Sequence, residues 1–118
     1  MSWEPKLTYQ GREKTCGLHV IAMITHLPYE YIKTVLPKFH GTTTEEVAFA
    51  LYSLGYQTDR TLTKYHKGIE LPDLCILHVQ RHLCLYFKGM IYCSNQGIKT
   101  PKEYRARIKS FLTVQIPV

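Results

Sequence analysis

Long apolar segments are absent from this sequence. Its longest apolar runs have the length of one helix or one strand and are too short to span a bilayer. The first residues, Met1 to Lys6, lack the apolar core of a signal peptide. These absences argue against an integral membrane protein and a secreted one, so we expect a soluble, cytoplasmic protein.

Closely spaced cysteine pairs are also missing. The four cysteines include no Cys-x-x-Cys pair, so a structural zinc site has weak support. Without a signal peptide, free thiols are favoured over disulfides. We expect no cofactor and no metal as part of the function.

Acidic residues are few: 9 Asp and Glu face 15 Lys and Arg, for a formal charge of +6. Such a balance makes nucleic acid an alternative partner. The basic residues are scattered, however, except for a group near the end that we interpret as a solvated helix face. That group comprises Lys99, Lys102, Arg105, Arg107 and Lys109. The length of 118 residues suits one compact domain covering residues 1–118.

Helical periodicity dominates the first half of the chain. Apolar spacing predicts a helix over residues 15–27, which Pro28 ends, and a second over residues 29–36. A threonine–glutamate capping box within residues 42–46 begins a third helix, which Gly55 terminates.

Strand signals dominate the second half. The predicted strands cover residues 56–60, 74–79, 82–87, 90–93 and 112–116, and the turn Lys88-Gly89 joins two of them into a hairpin. Residues 61–71 are predicted to form a loop or a weak helix, and a fourth helix is predicted from Thr100 with Pro101 in its first turn. Helices followed by an antiparallel sheet indicate an α+β domain with the helices on one side of the sheet.

We expect the chemistry of this protein around Cys16, at the predicted start of an apolar helix. Free amides and the helix dipole favour a thiolate there, and those amides can also bind an oxyanion. Gln10, six residues earlier, can supply a second oxyanion donor, and His82, at the head of a strand, can act as the general base. The alternative for Cys16 is an inert, half-buried thiol.

Several short motifs around these residues, in order and spacing, resemble the papain-like cysteine peptidases, most closely the C39-type domains that process bacteriocins. The matching pieces are Gln10, Cys16-Gly17, Gly41-Thr42-Thr43, Leu54-Gly55-Tyr56, Leu71-Pro72, His82 and Gly97. The resemblance covers most of the chain and implies a minimal papain-like fold. It also implies that the protein is a thiol hydrolase, which cleaves a peptide or related amide bond in a peptide or protein substrate.

The sequence departs from this family at the third catalytic position. The family usually has an aspartate there, whereas the offset from Gly97 points to Cys93, and a thiol is a poor orienter of imidazole. We therefore assign the orienting role to Asn95, whose carbonyl can accept from the ring, with Ser94 as a further candidate.

The same residues are compatible with other functions. A domain of this kind can be a catalytically inactive protein-binding module, an acyl transferase or a deamidase. His82 with Cys84 and either Cys16 or Cys93 is also a conceivable metal site. His19 is interpreted as a packing or surface residue and His78 as a hydrogen-bonded core residue.

Overall fold

Three helices precede an antiparallel sheet, which confirms the predicted α+β class. The computed structural model describes residues 3–8, 16–36, 43–80, 82–104 and 107–116. Within them the helices are α1 (Cys16–Thr25), α2 (Tyr29–Val35) and α3 (Thr44–Ser53). The strands are β1 (Gln57–Thr58), β2 (Thr63–Lys64), β3 (Leu74–Val79), β4 (His82–Phe87), β5 (Met90–Cys93), β6 (Gly97–Lys99) and β7 (Ile108–Gln115).

Helix α1 lies at the centre of the helical half. Every residue from Gly17 to Ile24 is buried, because the sheet, the other helices and the N-terminal arm enclose it. A helix that is apolar all round needs such an environment. The first residue of α1, Cys16, is only half-buried, so the enclosed helix presents its N-terminal end at the surface.

The third helix begins as predicted. Thr43 accepts a hydrogen bond from the Glu46 amide, and the Glu46 carboxylate accepts one from the Thr43 amide, which completes a capping box. Gly55 follows the helix with a φ of 93°, a left-handed conformation that suits glycine.

The sheet has the order β1-β7-β3-β4-β5-β6, with β2 also paired to β7. Strand β3 pairs with β4 on one side and β7 on the other, so it is central, as its continuous apolar run predicted. Strands β4 and β5 form the predicted hairpin, and their paired positions run from Leu85–Tyr92 to Phe87–Met90.

The two faces of the sheet bury different sets of side chains. Alternate residues such as Leu83 and Leu85 of β4 join the core beneath the helices. Cys84, on the opposite face, belongs to a second, smaller cluster that also contains Cys93 and Tyr104. Successive side chains at the start of β4 therefore contact groups on opposite faces of the sheet.

Three predictions on the second half were wrong. Residues 61–71 contain the short strand β2, and β6 follows the hairpin without having been predicted. The fourth helix is a turn over residues 101–103. Thr100 and Glu103 still make the two capping-box hydrogen bonds, but β7 begins at Ile108 and leaves no room for a helix.

The predicted basic helix face therefore does not form, and its described members are spread over β6, this turn, the residue before β7 and β7 itself. None of the described helices has the length and apolar character needed to cross a membrane.

Candidate active site

Cys16 lies where helix α1 meets strand β4. Its Sγ is 3.4 Å from the Leu83 amide nitrogen, which donates to it across 67 residues of chain. Pairing of β4 with β5 starts only at Leu85. The Leu83 amide lies before these paired positions, so it is available to the thiol. The Gly17 amide of the first helical turn also lowers the pKa of the Cys16 thiol. Two backbone amides thus act on the Cys16 sulfur. The amide of the first helical turn was predicted from the helix start, whereas the Leu83 amide was not.

His82, the first residue of β4, faces the same sulfur. Burial by itself would raise the pKa of the Cys16 thiol, but the hydrogen bond to His82 and the Leu83 amide outweigh it and lower that pKa. For His82, burial alone would lower the pKa, whereas hydrogen bonds to Cys16 and Cys93 raise it to about 9. Both shifts favour a thiolate beside an imidazolium.

The second contact of the His82 ring is made by Cys93, at the end of β5. The Cys93 Sγ lies 3.2 Å from His82 Nε2, which leaves Nδ1 as the ring nitrogen that can serve Cys16. Asn95 was predicted to orient His82, and that role stays a prediction. Cys93 is buried on the strand and points to the ring, while Asn95 lies beyond the strand end and contacts Cys93 instead, with its Oδ1 2.7 Å from Sγ.

A buried polar cluster surrounds Cys93. The Cys84 thiol and the Tyr104 hydroxyl are 3.0 Å apart, and the same hydroxyl is 3.9 Å from the Cys93 sulfur. The hydrogen bond from Cys84 is the largest cause that lowers the pKa of Cys93, followed by that from His82. The pKa of Cys84 is raised correspondingly, because its proton is shared with Cys93. Cys93 is thus the thiol of this cluster whose pKa is lowered, and its sulfur is also the donor in the contact with Asn95 Oδ1.

The remaining candidates have different places. Gln10 lies outside the described residues, so its oxyanion role stays a prediction. Ser94 is buried directly after β5. His19 is buried and stacks on Tyr29 with ring centroids 4.4 Å apart, which agrees with a packing role. His78 has its Nδ1 3.4 Å from the Ser110 hydroxyl.

Two members of the cluster were not predicted as site residues of the hydrolase. Tyr104 was assigned to a helix that does not form, so its position gave no signal. Cys84 did give one: it is two residues from His82 on a strand, so both side chains point to the same face. His82, Cys84 and Cys93 are also the group of described residues that can hold a metal, since their ligand atoms lie within 4.8 Å of one another.

Comparisons with known proteins identify the fold. No family model and no curated protein sequence matches the chain. Among solved structures, it is similar to a double glycine motif protease from an AMS/PCAT transporter, in complex with the leader peptide, with a TM-score of 0.69, 18% identity and coverage of 94% of this chain and 92% of that one.

The peptidase domain of Streptococcus mutans ComA gives a TM-score of 0.63 at 16% identity, with 94% of this chain and 99% of that chain covered. At such identities the likeness concerns the fold. The chain therefore has the minimal papain-like α+β fold of the C39-type peptidase domains, as its motifs predicted.

Proposed function

We propose that the protein is a cysteine hydrolase that cleaves a peptide or related amide bond. The observation that carries this proposal is the convergence on Cys16 of the His82 ring and the Leu83 amide, at the N-terminus of a buried helix. An inert core thiol has no need of these partners. Cys75, which is fully buried, illustrates the contrast, because burial raises its pKa to about 12.

The reaction would proceed through a thioester. The Cys16 thiolate attacks the carbonyl carbon, and the carbonyl electron pair moves to oxygen. The His82 imidazolium then gives its proton to the leaving nitrogen as the C–N bond breaks. Neutral His82 next removes a proton from water, whose oxygen attacks the thioester, and Cys16 leaves as thiolate while His82 retains the proton.

The Cys16 amide and the Gln10 side chain are the proposed oxyanion donors, since both belong to the segment that precedes or opens α1. Cys93 is the proposed positioning residue for His82, with Asn95 contacting it from the turn. A peptide substrate is supported by the similar protease that binds a leader peptide. Acyl transfer and deamidation use the same intermediate and differ in the acceptor or the amide attacked.

Alkylation of Cys16 tests the nucleophile. An ordinary thiol with a pKa of about 8.5 is only about 0.3% thiolate at pH 6. Because the pKa of Cys16 is lowered, its thiolate should persist as the pH falls through 8.5 and disappear only below the lowered value. In reduced, chelator-treated protein, we expect iodoacetamide to label Cys16 at pH 6 faster than free cysteine, as measured by peptide mass spectrometry.

Two variants make this measurement specific. His82→Ala should return the pH profile of Cys16 to that of an ordinary thiol, whereas His78→Gln, which alters a half-buried histidine on neighbouring β3, should leave it unchanged. Cleavage of a pooled peptide library should then depend on Cys16 and be lost in Cys16→Ala. Cleavage that persists in Cys16→Ala would contradict the proposal.

A catalytically inactive peptide-binding module is the second candidate. It is favoured by one observation, namely that a sulfur contacts His82 Nε2 at the position where the C39-type family usually has a carboxylate. That alternative predicts an alkylation rate at pH 6 no greater than that of free cysteine, together with binding of peptides that are not cleaved.

A further inference from the structure

Two thiols and an imidazole meet at the open end of the β4–β5 hairpin. The register that pairs Leu85 with Tyr92 places Cys84 opposite Cys93 when it is continued by one position. Cys84 and His82 share a strand face because they are two residues apart. The hairpin thus brings three metal-binding side chains to one side of the sheet, and the proposed reaction uses the Cys84 thiol only indirectly, through its hydrogen bond to Cys93.

The distances within this group match those of a metal site. Zinc at about 2.3 Å from sulfur and about 2.0–2.1 Å from nitrogen separates tetrahedral ligands by about 3.5–3.8 Å. Here His82 Nε2 is 3.2 Å from the Cys93 sulfur, and all three ligand atoms lie within 4.8 Å of one another. Shifts of about 1 Å or less would bring them to the ligand spacing of a tetrahedral site.

We propose that His82, Cys84 and Cys93 bind a thiophilic divalent cation, Zn²⁺ foremost, through two sulfurs and Nε2, with water as the fourth ligand. Sulfur and imidazole ligands select zinc over magnesium or calcium, which prefer oxygen. The Tyr104 hydroxyl, 3.0 Å from the Cys84 sulfur, is placed to donate a hydrogen bond to a metal-bound thiolate.

The group is accessible although both cysteines are fully buried. His82 is only half-buried, and Asn95, which contacts Cys93, is exposed in the turn after β5. A cation can therefore enter beside this turn. Binding displaces the proton of Cys84 and the proton that an imidazolium carries on His82 Nε2, so it releases protons and strengthens as the pH rises.

Metal binding has a consequence for Cys16, which rests on the proposed function. With Nε2 bound to the cation, a neutral imidazole carries its proton on Nδ1, the nitrogen that serves Cys16. The ring can then neither accept a further proton nor stay an imidazolium. Cys16 loses the cation that stabilises its thiolate, and the site becomes inactive while Cys16 itself stays outside the coordination sphere.

Cobalt titration of the reduced full-length protein tests the site directly. Tetrahedral Co²⁺ bound to thiolates gives intense visible bands and sulfur-to-metal charge transfer in the near ultraviolet, and Zn²⁺ added afterwards should displace it. We expect one bound ion per chain. Cys84→Ala and Cys93→Ala should each lower the affinity by more than the roughly 10–100-fold that loss of an outer-shell partner costs.

Matched controls separate this site from the other thiols. Cys75→Ala, which alters a buried cysteine paired with Tyr86 rather than near His82, should bind Co²⁺ as the wild type does. Cys16→Ala, which removes the thiolate that stabilises the competing imidazolium, should bind Co²⁺ at least as tightly. Zn²⁺ should also raise the unfolding temperature of the wild type by more than it raises that of a folded Cys93→Asp variant. Absence of Co²⁺ charge transfer in wild type, or its retention in both ligand variants, would overturn the proposal.

The two proposals fail in different ways. If the protein is no hydrolase, Co²⁺ still binds but peptides are not cleaved with or without metal. If the metal site is wrong, cleavage and rapid Cys16 alkylation persist unchanged when Zn²⁺ is added. Slowing of Cys16 alkylation by Zn²⁺ in wild type but not in Cys84→Ala is the result expected when both hold.

Discussion

At the scale of single residues, a sulfur occupies the place beside His82 where we expected an amide. Cys93 can hold the imidazolium because the Cys84 thiol and the Asn95 backbone amide help to stabilise its negative charge. As a neutral thiol it can instead donate to Asn95 Oδ1, 2.7 Å away. The environment thus determines whether this thiol acts like a carboxylate, which residue type alone does not reveal.

Substitution of Cys93 tests its positioning role. Cys93→Ala removes the acceptor at Nε2, so kcat should fall by on the order of 10²-fold, the lower end of what positioned proton transfer contributes. Cys93→Asp restores an anion at the same position and should retain most of kcat. The measurement is kcat and KM on a cleaved library peptide, with the unfolding temperature checked for each variant.

A purely structural role for Cys93 makes a different prediction. In that case Cys93→Ala should be tolerated better than Cys93→Asp, since a buried carboxylate among apolar neighbours is costly. The pH at which Cys16 alkylation rises should then be the same in both variants. Equal alkylation profiles in Cys93→Ala and wild type would rule out a role for Cys93 in holding the imidazolium.

At the scale of elements, strands β3, β4 and β5 were predicted with their observed ends. Each is a compact apolar run bounded by a turn, so local pattern and tertiary placement agree. The predicted fourth helix failed because its capping signal was local, whereas burial of Tyr104 against Cys84 depends on distant strands. Likewise β2 is exposed and exists only through its pairing with β7, which no local pattern encodes.

The turn of the β4–β5 hairpin gives an element-scale prediction. Lys88 and Gly89 both have positive φ, 43° and 88°, the combination that a type I′ turn requires. Gly89→Ala meets no neighbour within 4 Å but forces an alanine into this conformation, at a cost of about 1–2 kcal/mol. We expect the free energy of unfolding in urea to fall by that amount.

Site chemistry should not respond to this change. The turn is at the opposite end of the hairpin from His82 and Cys93, so Cys16 alkylation in Gly89→Ala should match wild type under native conditions. Lys88→Asn is the control, since asparagine tolerates positive φ. It should leave the free energy of unfolding unchanged or slightly higher. A loss of stability in Lys88→Asn equal to that in Gly89→Ala would contradict the turn assignment.

At the scale of the whole molecule, the candidate site spans the two faces of one sheet. Cys16 lies on the helical side of the sheet, where Leu83 and Leu85 are buried. His82 and Cys93 belong to the opposite face. The sequence motifs predicted the pairing of Cys16 with His82. They did not predict the cluster around Cys93, because the face on which a strand residue lies depends on register with neighbouring strands.

A pair of truncations tests this architecture. Leu85 is fully buried between sheet and helices, so Leu85→Ala should lower the free energy of unfolding by about 2–5 kcal/mol. Phe49, on the outer side of α3, is 71% exposed, and Phe49→Ala should change it by no more than about 0.5 kcal/mol. Urea unfolding followed by circular dichroism measures both, and comparable losses in the two variants would show that the helices pack differently.

The spacing of the site along the chain also determines when it is completed during folding. His82 and Cys93 are 11 residues apart within one hairpin, and hairpins form in about 1–10 μs. Cys16 and the Leu83 amide are 67 residues apart, so their contact waits for the helices to dock on the sheet. A partly folded chain therefore holds an ordinary, unreactive thiol at Cys16, and the proposed nucleophilicity is among the last properties that the folding protein would acquire.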